Sequence, residues 1–422
     1  MLSQKALDRR IKLGISLDSI DVPIYQTYYN QIKNETNISV LGKSKWLNAI
    51  HIQGKINDIT NLLSKYSFIN YIEFANKSLN KSGKKRTKKI TPNHYNKFNE
   101  TLTDFTYGET ENQIKMLNGD FLHQQDLTGK GQTIAIIDAG FPNVNALAAF
   151  KRIRDNNQIL GGYNFADRNE NFYTRNSHGT HVLSTIAGYI ENEFVGTAPD
   201  AKFYLFVSER AETETVLEET LWVEAAERAD SLGVNVINTS LGYTTYDNPN
   251  HSHSYADMDG KTTFISRGAE IGASRGMILV NSAGNEGGNS WKYIGAPADA
   301  ENVFSIGAVT SSENIAFFSS FGPTADNRIK PDVLAQGQAA AIINYDTGNP
   351  ATSNGTSFSS PIMAGVIACF WQAFPNKTNF EIMDVIRKSA DRFLNPTDQY
   401  GYGIPNFEVA FNNYISSLSV LD

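Results

Sequence analysis

One cysteine in 422 residues excludes an internal disulfide, and Cys369, set in an apolar stretch, reads as a small core residue. Long apolar runs are also missing. The longest, residues 361–374, is broken by Gly365 and Gln372, which suits a core helix and falls short of the about 20 residues needed to span a bilayer. The start, Met1-Leu2-Ser3-Gln4-Lys5, turns charged within ten residues and has no leader core. It reads as a cytoplasmic protein or as a chain whose leader is absent. At 41% apolar, the sequence can bury large cores and is expected to form two domains.

Charge divides the chain more sharply than composition does. Residues 1–89 carry 16 Lys and Arg against 6 Asp and Glu, a balance of +10, which leaves −17 for the rest of a chain whose net charge is −7. The two parts are electrostatically complementary. Lys81-Ser82-Gly83-Lys84-Lys85-Arg86-Thr87-Lys88-Lys89 holds six of the cations and no aromatic residue. Without rings to stack bases it reads as an exposed linker, and no nucleic-acid partner is expected.

Four short motifs carry the chemistry. Asn354-Gly355-Thr356-Ser357-Phe358-Ser359-Ser360-Pro361 leads into the apolar run Ile362, Met363, Ala364, Val366, Ile367, Ala368, so that Ser357 stands at the start of a buried helix whose free N–H groups could hold an oxyanion. Taken alone, the turn is an ordinary helix start. Thr133-Ile134-Ala135-Ile136-Ile137 is β-prone and ends in Asp138, as a buried parallel strand delivering a carboxylate to its C-terminal edge would; the plainer role is a turn cap. Asn176-Ser177-His178-Gly179-Thr180-His181-Val182 opens another apolar helix and offers a base. After residues 277–281, Asn285 lies between Gly284 and Gly287, where it can donate an amide N–H or serve as a turn residue.

Together and in this order, Asp138, His178, Asn285 and Ser357 resemble the subtilisin-like serine proteases, the subtilases. The spacings are 40, 107 and 72 residues, and the resemblance runs from about Tyr107 to about Phe407. It implies a doubly wound α/β fold with Ser357 as nucleophile, His178 as general base and acid, Asp138 as its orienting partner and Asn285 as oxyanion donor. His181, three residues past His178, is left a packing role. The substrate strand is expected at Ser240-Leu241-Gly242, with Ser282-Ala283-Gly284 and Gly295 around the primary pocket. An open pocket between two glycines implies a preference for a large apolar residue before the scissile bond.

Upstream, residues 1–80 read as a small α+β unit. Strands are expected over 21–25, 38–41, 47–52 and 69–74, helices over 28–32 and 56–66, and a turn over 42–45. The order resembles subtilase propeptides, which implies an inhibitor and folding chaperone on residues 1–80, a basic linker with a processing site over 81–105, and a peptidase on 106–422. Catalysis of this kind needs no cofactor. Residues 189–195 are too short for one familiar calcium loop, whereas the insertion 243–261, with Asp247, His251, His253, Asp257 and Asp259, could hold a structural calcium at Asp257 and Asp259. The expected protein is a monomeric endopeptidase made as a self-inhibited zymogen, acting on proteins and peptides outside the cytoplasm, with no membrane partner. A silent peptide-binding module on the same fold and an esterase are the other readings.

Overall fold

The computed structural model describes residues 1–80 and 104–419. The N-terminal unit runs α1 (Gln4–Lys12), α2 (Gln26–Lys33), β1 (Ile38–Ser44), β2 (Ala49–Gly54) and α3 (Ile56–Lys65). There follow α4 (Glu111–Lys115), α5 (Gly119–Gln124), β3 (Thr133–Asp138), α6 (Lys151–Asp155), β4 (Ile159–Asn164), α7 (His178–Ala187), the short pair β5 (Tyr189–Ile190) and β6 (Phe194–Val195), β7 (Lys202–Val207), α8 (Leu217–Leu232), β8 (Val236–Thr239), α9 (Phe264–Ser274), β9 (Ile278–Ser282), β10 (Val303–Val309) and β11 (Val333–Gln336). The chain closes with the hairpin β12 (Ala340–Ile343) and β13 (Pro350–Ser353), then α10 (Thr356–Ala373), α11 (Asn379–Lys388) and α12 (Phe407–Ser419).

The central sheet has seven strands in the order β11-β10-β9-β8-β3-β7-β4, every pairing parallel. Strands covered on both faces are mostly apolar, and β3, β8, β9, β10 and β11 are buried at every position, with polar residues such as Asp138, Thr239 and Ser282 at their carboxyl ends. From β3 the chain goes out to the edge strand β4, comes back to β7 between the two, and then crosses to the other side of β3 at β8. That reversal is the switch point beside which doubly wound sheets open a crevice at their carboxyl ends. The α/β class is therefore the one the sequence implies. Helix α10 packs on α7 and on the central strands and is buried along nearly its whole length. Cys369 is a fully buried member of this core.

The N-terminal unit has its own small core of Ile32, Ile38, Ile59 and Leu62. Two of the expected strands are absent from it. Residues 21–25 leave a single 3₁₀ turn, Ser19–Asp21, for coil, and residues 69–74 are coil although Ile69, Ile72 and Phe74 pack on the small core. Residues 69–74 turn apolar side chains inward but pair with no strand among the described residues. The hairpin turn is also displaced, from 42–45 to 45–48. Gly42 sits at an irregularity within β1, where a Cβ would lie 2.7 Å from Thr220 Cγ2 on α8, so this glycine serves close packing rather than reversal. The displaced turn drives Trp46 into the main core, beside Gly272 on α9.

Polar contacts follow the same face. Glu227 on α8 accepts from Ser44 Oγ at 2.6 Å and from the Trp46 N–H at 3.0 Å, while Glu224 accepts from the Lys43 N–H at 2.8 Å. His51 Nδ1 and Thr220 Oγ1 share a hydrogen bond of 2.8 Å. The acidic helix is thus met by N–H and hydroxyl donors of the basic unit. Apart from residues 104 and 105, the linker expected over 81–105 lies outside the described residues.

A tight contact inside the core gives a direct check on this packing. A Cβ on Gly365 of α10 would fall 1.9 Å from Thr197 Oγ1 and 2.9 Å from Thr197 Cβ. Gly365→Ala is expected to cost about 1–3 kcal/mol of overpacking, read as a lower urea midpoint in a Ser357→Ala background. An unchanged midpoint would show that α10 is not seated as described.

Candidate active site

Asp138 is the last residue of β3, Ser240 follows β8 and Asn285 lies just beyond β9, so all three stand at the carboxyl edge of the sheet beside the switch point. His178 is the first residue of α7 and Ser357 the second of α10. Five segments far apart in sequence therefore deliver polar groups to one rim.

His178 and Asp138 are in direct contact, with Nδ1 donating to Asp138 Oδ1 at 2.7 Å. The Ala139 N–H donates to the same oxygen at 2.7 Å, and Asp138 is fully buried. Its Oδ2 is buried without a hydrogen-bond partner among the described residues, so His178 and the Ala139 N–H are the donors that meet the carboxylate, both at Oδ1. Burial opposes a charged imidazole, but the charge of Asp138 and its hydrogen bond outweigh this and hold His178 above its ordinary pKa of 6.5. His181 sits three residues further on. Burial lowers its pKa, aided by the charge of His178, and its ring lies edge-on to Tyr345 at 5.7 Å. It packs.

Pro361 explains how the serine is held. Lacking an N–H, it cannot bond the carbonyl four residues back, which belongs to Ser357. That carbonyl accepts instead from Ser240 Oγ at 2.9 Å, while Ser357 Oγ donates weakly to the Ser240 carbonyl at 3.4 Å. Ser240 Oγ in turn accepts from Asn238 Nδ2 at 3.2 Å, and Asn238 Oδ1 accepts from Ser360 Oγ at 2.9 Å. The first turn of α10 is stitched to the strand beside it. Among the described residues Ser357 Oγ makes no hydrogen bond to His178, whose ring lies 6.2 Å from that of Phe358.

Asn285 is fixed through its carbonyl. Oδ1 accepts from the Thr356 N–H at 2.8 Å and from Thr356 Oγ1 at 3.0 Å, which turns Nδ2 toward Gly355, 3.7 Å from where a Cβ would stand. Thr356 also accepts from the Gly284 N–H at 3.2 Å. Gly284 is needed on two counts: its φ is +109°, and a Cβ would meet Ser320 Oγ at 2.8 Å. Sequence reasoning found Asn285 but not Thr356 or the hydroxyl of Ser240, because hydroxyl residues beside a motif have no spacing signature.

The residues expected to bind substrate gather around this rim. Leu241 offers its carbonyl to Asn281 Nδ2 at 3.0 Å, and Gly242 is open, with only Ala296 O within 4 Å of a built Cβ. Ser282 ends β9, and Ala283 packs with Ile294 and Ala298. At Gly295 the space of a side chain is bordered by Thr244 and Tyr243. Past the strand, the Tyr243 hydroxyl donates to buried Glu209, and burial raises that carboxyl well above its usual range. Burial, then Glu218 and Asp247, push nearby Glu214 up to about 7.

The insertion after the groove strand uses its carboxylates within the protein. Asp257 caps Ser254 and pairs with Lys77 of the N-terminal unit at 2.7 Å, and Asp259 accepts from the Lys261 and Thr262 N–H groups and the Thr262 hydroxyl. Among the described residues no group of three or more His, Cys, Asp or Glu side chains is placed to hold a metal.

Comparison with known proteins bears on this arrangement as a whole. The model of the subtilase family, peptidase S8, matches residues 129–403, and that of the S8 propeptide domain of Bacteroidota matches residues 1–92. M-protease from Shouchella clausii strain KSM-K16 is 30% identical over 306 residues, covering 70% of this chain and 68% of that protein. Subtilisin E from Bacillus subtilis strain 168 is 29% identical over 306 residues, covering 70% of each. Among solved structures, the MycP3 protease from the type VII (ESX-3) secretion system aligns with a TM-score of 0.58 at 19% identity, covering 74% of this chain and 90% of that one, which speaks for the fold. With the family model covering most of the sheet and its rim, the chain belongs to the subtilase family: it is a serine endopeptidase that carries an S8 propeptide domain.

Proposed function

We propose that Ser357, His178 and Asp138 cleave peptide bonds through an acyl-enzyme, and that residues 1–80 hold the peptidase, 106–422, inhibited until residues 81–105 are cut. The observation that carries this is the 2.7 Å contact of His178 with a buried Asp138 on the rim where α10 presents Ser357. Ser357 Oγ would leave the Ser240 carbonyl by a staggered rotation and attack the scissile carbonyl, giving its proton to His178 Nε2. The tetrahedral oxyanion takes hydrogen bonds from Asn285 Nδ2 and the Ser357 N–H at the positive end of α10. His178 returns the proton to the leaving amine, and water repeats the sequence to free the acid. Substrate would pair with Ser240-Leu241-Gly242 as an added strand. The triad as a set favours turnover over a silent binding module, and cleavage of casein as well as small esters would separate a peptidase from an esterase.

The precursor reading draws on the acidic face of α8 being filled by the basic N-terminal unit. An inhibitor of this kind suits transit to the periplasm or the medium, where we place the enzyme's action as a monomer. Structural calcium at Asp257 and Asp259 would have to displace Lys77 and the capping N–H groups, so chelators should leave the melting temperature of the precursor unchanged. A lowered melting temperature would restore the metal. N-terminal sequencing of the mature species should start between Lys89 and Phe105, with the Ser357→Ala chain left whole. If both chains stay whole, self-processing is wrong.

Turnover separates the roles. By the figures known for subtilisin, a member of this family, Ser357→Ala should lower kcat about 10⁶-fold and Asn285→Ala about 10² to 10³-fold. Equal losses would remove Asn285 from the oxyanion site.

The pH profile of kcat/KM tests the histidine. Only neutral His178 can accept a proton, so activity should fall as pH drops through its raised pKa, with a midpoint above 6.5. Asp138→Asn leaves burial without the compensating charge and should move that midpoint below 6.5, alongside a kcat loss of roughly 10⁴-fold. A midpoint that stays put would detach Asp138 from His178.

A further inference from the structure

Helix α1 places two arginines where two other helices end. Arg9 donates to the carbonyls of Val234 and Asp230, the latter at 3.2 Å, and pairs with the Asp230 carboxylate at the last turn of α8. Arg10 donates to the Arg275 carbonyl, the C-cap of α9, at 2.7 Å and reaches Asp230 Oδ2 at 2.9 Å. The Ser3 N–H adds a bond of 2.7 Å to the Ser231 carbonyl. Asp21 accepts from Arg10 at 2.8 Å, and Arg275 reaches Asp18 at 3.2 Å, so the segment after α1 returns to the same corner.

This corner is built for a cationic partner. α8 has no basic residue in its last turn, and the one that ends α9, the C-cap Arg275, turns its guanidinium to Asp18, although helix-end carbonyls and the negative end of the macrodipole collect there. Asp230 adds a negative charge at that same end and is fully buried. Buried beneath α1, such a carboxylate needs a cation against it. Arg9 and Arg10, 7% and 2% exposed, supply that cover from a segment more than two hundred residues away.

We propose that residues 3–21 form a staple, separate from the hairpin and from the substrate groove, which keeps the N-terminal unit docked on the peptidase after the linker between them is cut. The proposal takes from the preceding section that this unit is cut away as an inhibitor, and adds what holds it afterwards. Two sites on one rigid face act in series, so the fragment dissociates only when the staple and the hairpin open together. The staple therefore sets the delay between cleavage and free enzyme.

The test uses the full chain with Ser357→Ala, carrying a recognition site for an unrelated sequence-specific protease in place of residues 84–89. After cutting, the two fragments should elute together in gel filtration and separate slowly on dilution. Arg9→Ala/Arg10→Ala should release the N-terminal fragment about 100-fold faster. Deletion of residues 1–22 should do the same, and it leaves Asp230 open to water instead of buried and unpaired, which guards against a folding defect. Release at the parent rate in both variants, or immediate loss from the parent itself, would overturn the staple. Because the serine is absent throughout, a wild-type chain that never cuts itself counts against the precursor reading and leaves this result standing.

Discussion

The site depends on how the first turn of α10 is held. A proline four residues past the serine removes one backbone donor, and the freed carbonyl of Ser357 is taken by Ser240 Oγ at 2.9 Å. Thr356 meanwhile grips Asn285 by its carbonyl oxygen at 2.8 and 3.0 Å. These contacts fix the helix end to the strand expected to bind substrate and to the turn expected to hold the oxyanion. The remaining residues of α10 anchor that turn in the core, where almost every side chain is buried. Positioning of this accuracy comes from packed elements rather than from the loop chemistry of the motif itself.

A second constraint acts on helix α8. Helix α8 is acidic and its carboxylates are partly buried by the N-terminal unit, Glu227 through the hairpin and Asp230 through α1. Burial raises the Glu227 carboxyl, and donors from Ser44 and Trp46 work against that rise. Among the described residues, Arg9 and Arg10 are the cations of the N-terminal unit that pair with a carboxylate of the acidic helix α8, at Asp230. Attraction of this kind governs dissociation more than it governs fold.

Much of this was legible in the sequence because catalysis needs particular side chains at strand and helix ends. The β3 run ending in Asp138, the helix start at His178 and the proline-bearing serine turn each carry their own periodicity, so their elements fall where expected. The N-terminal unit was harder to read. Residues 69–74 alternate as a strand would, yet they pair with no strand among the described residues, and Gly42 looked like a turn because its contact with Thr220 is invisible without α8. Helix α1 went unread altogether. Its arginines acquire meaning only from Asp230, and neither periodicity nor spacing links residues so far apart.

In the proposed mechanism His178 makes the oxygen of Ser357 nucleophilic. Treatment of the mature enzyme with a fluorophosphonate, followed by peptide mapping in a mass spectrometer, reads this directly. One covalent adduct is expected, on Ser357, formed at a rate that collapses in His178→Ala. An adduct on another residue, or labelling of Ser357 that ignores the loss of His178, would contradict the mechanism.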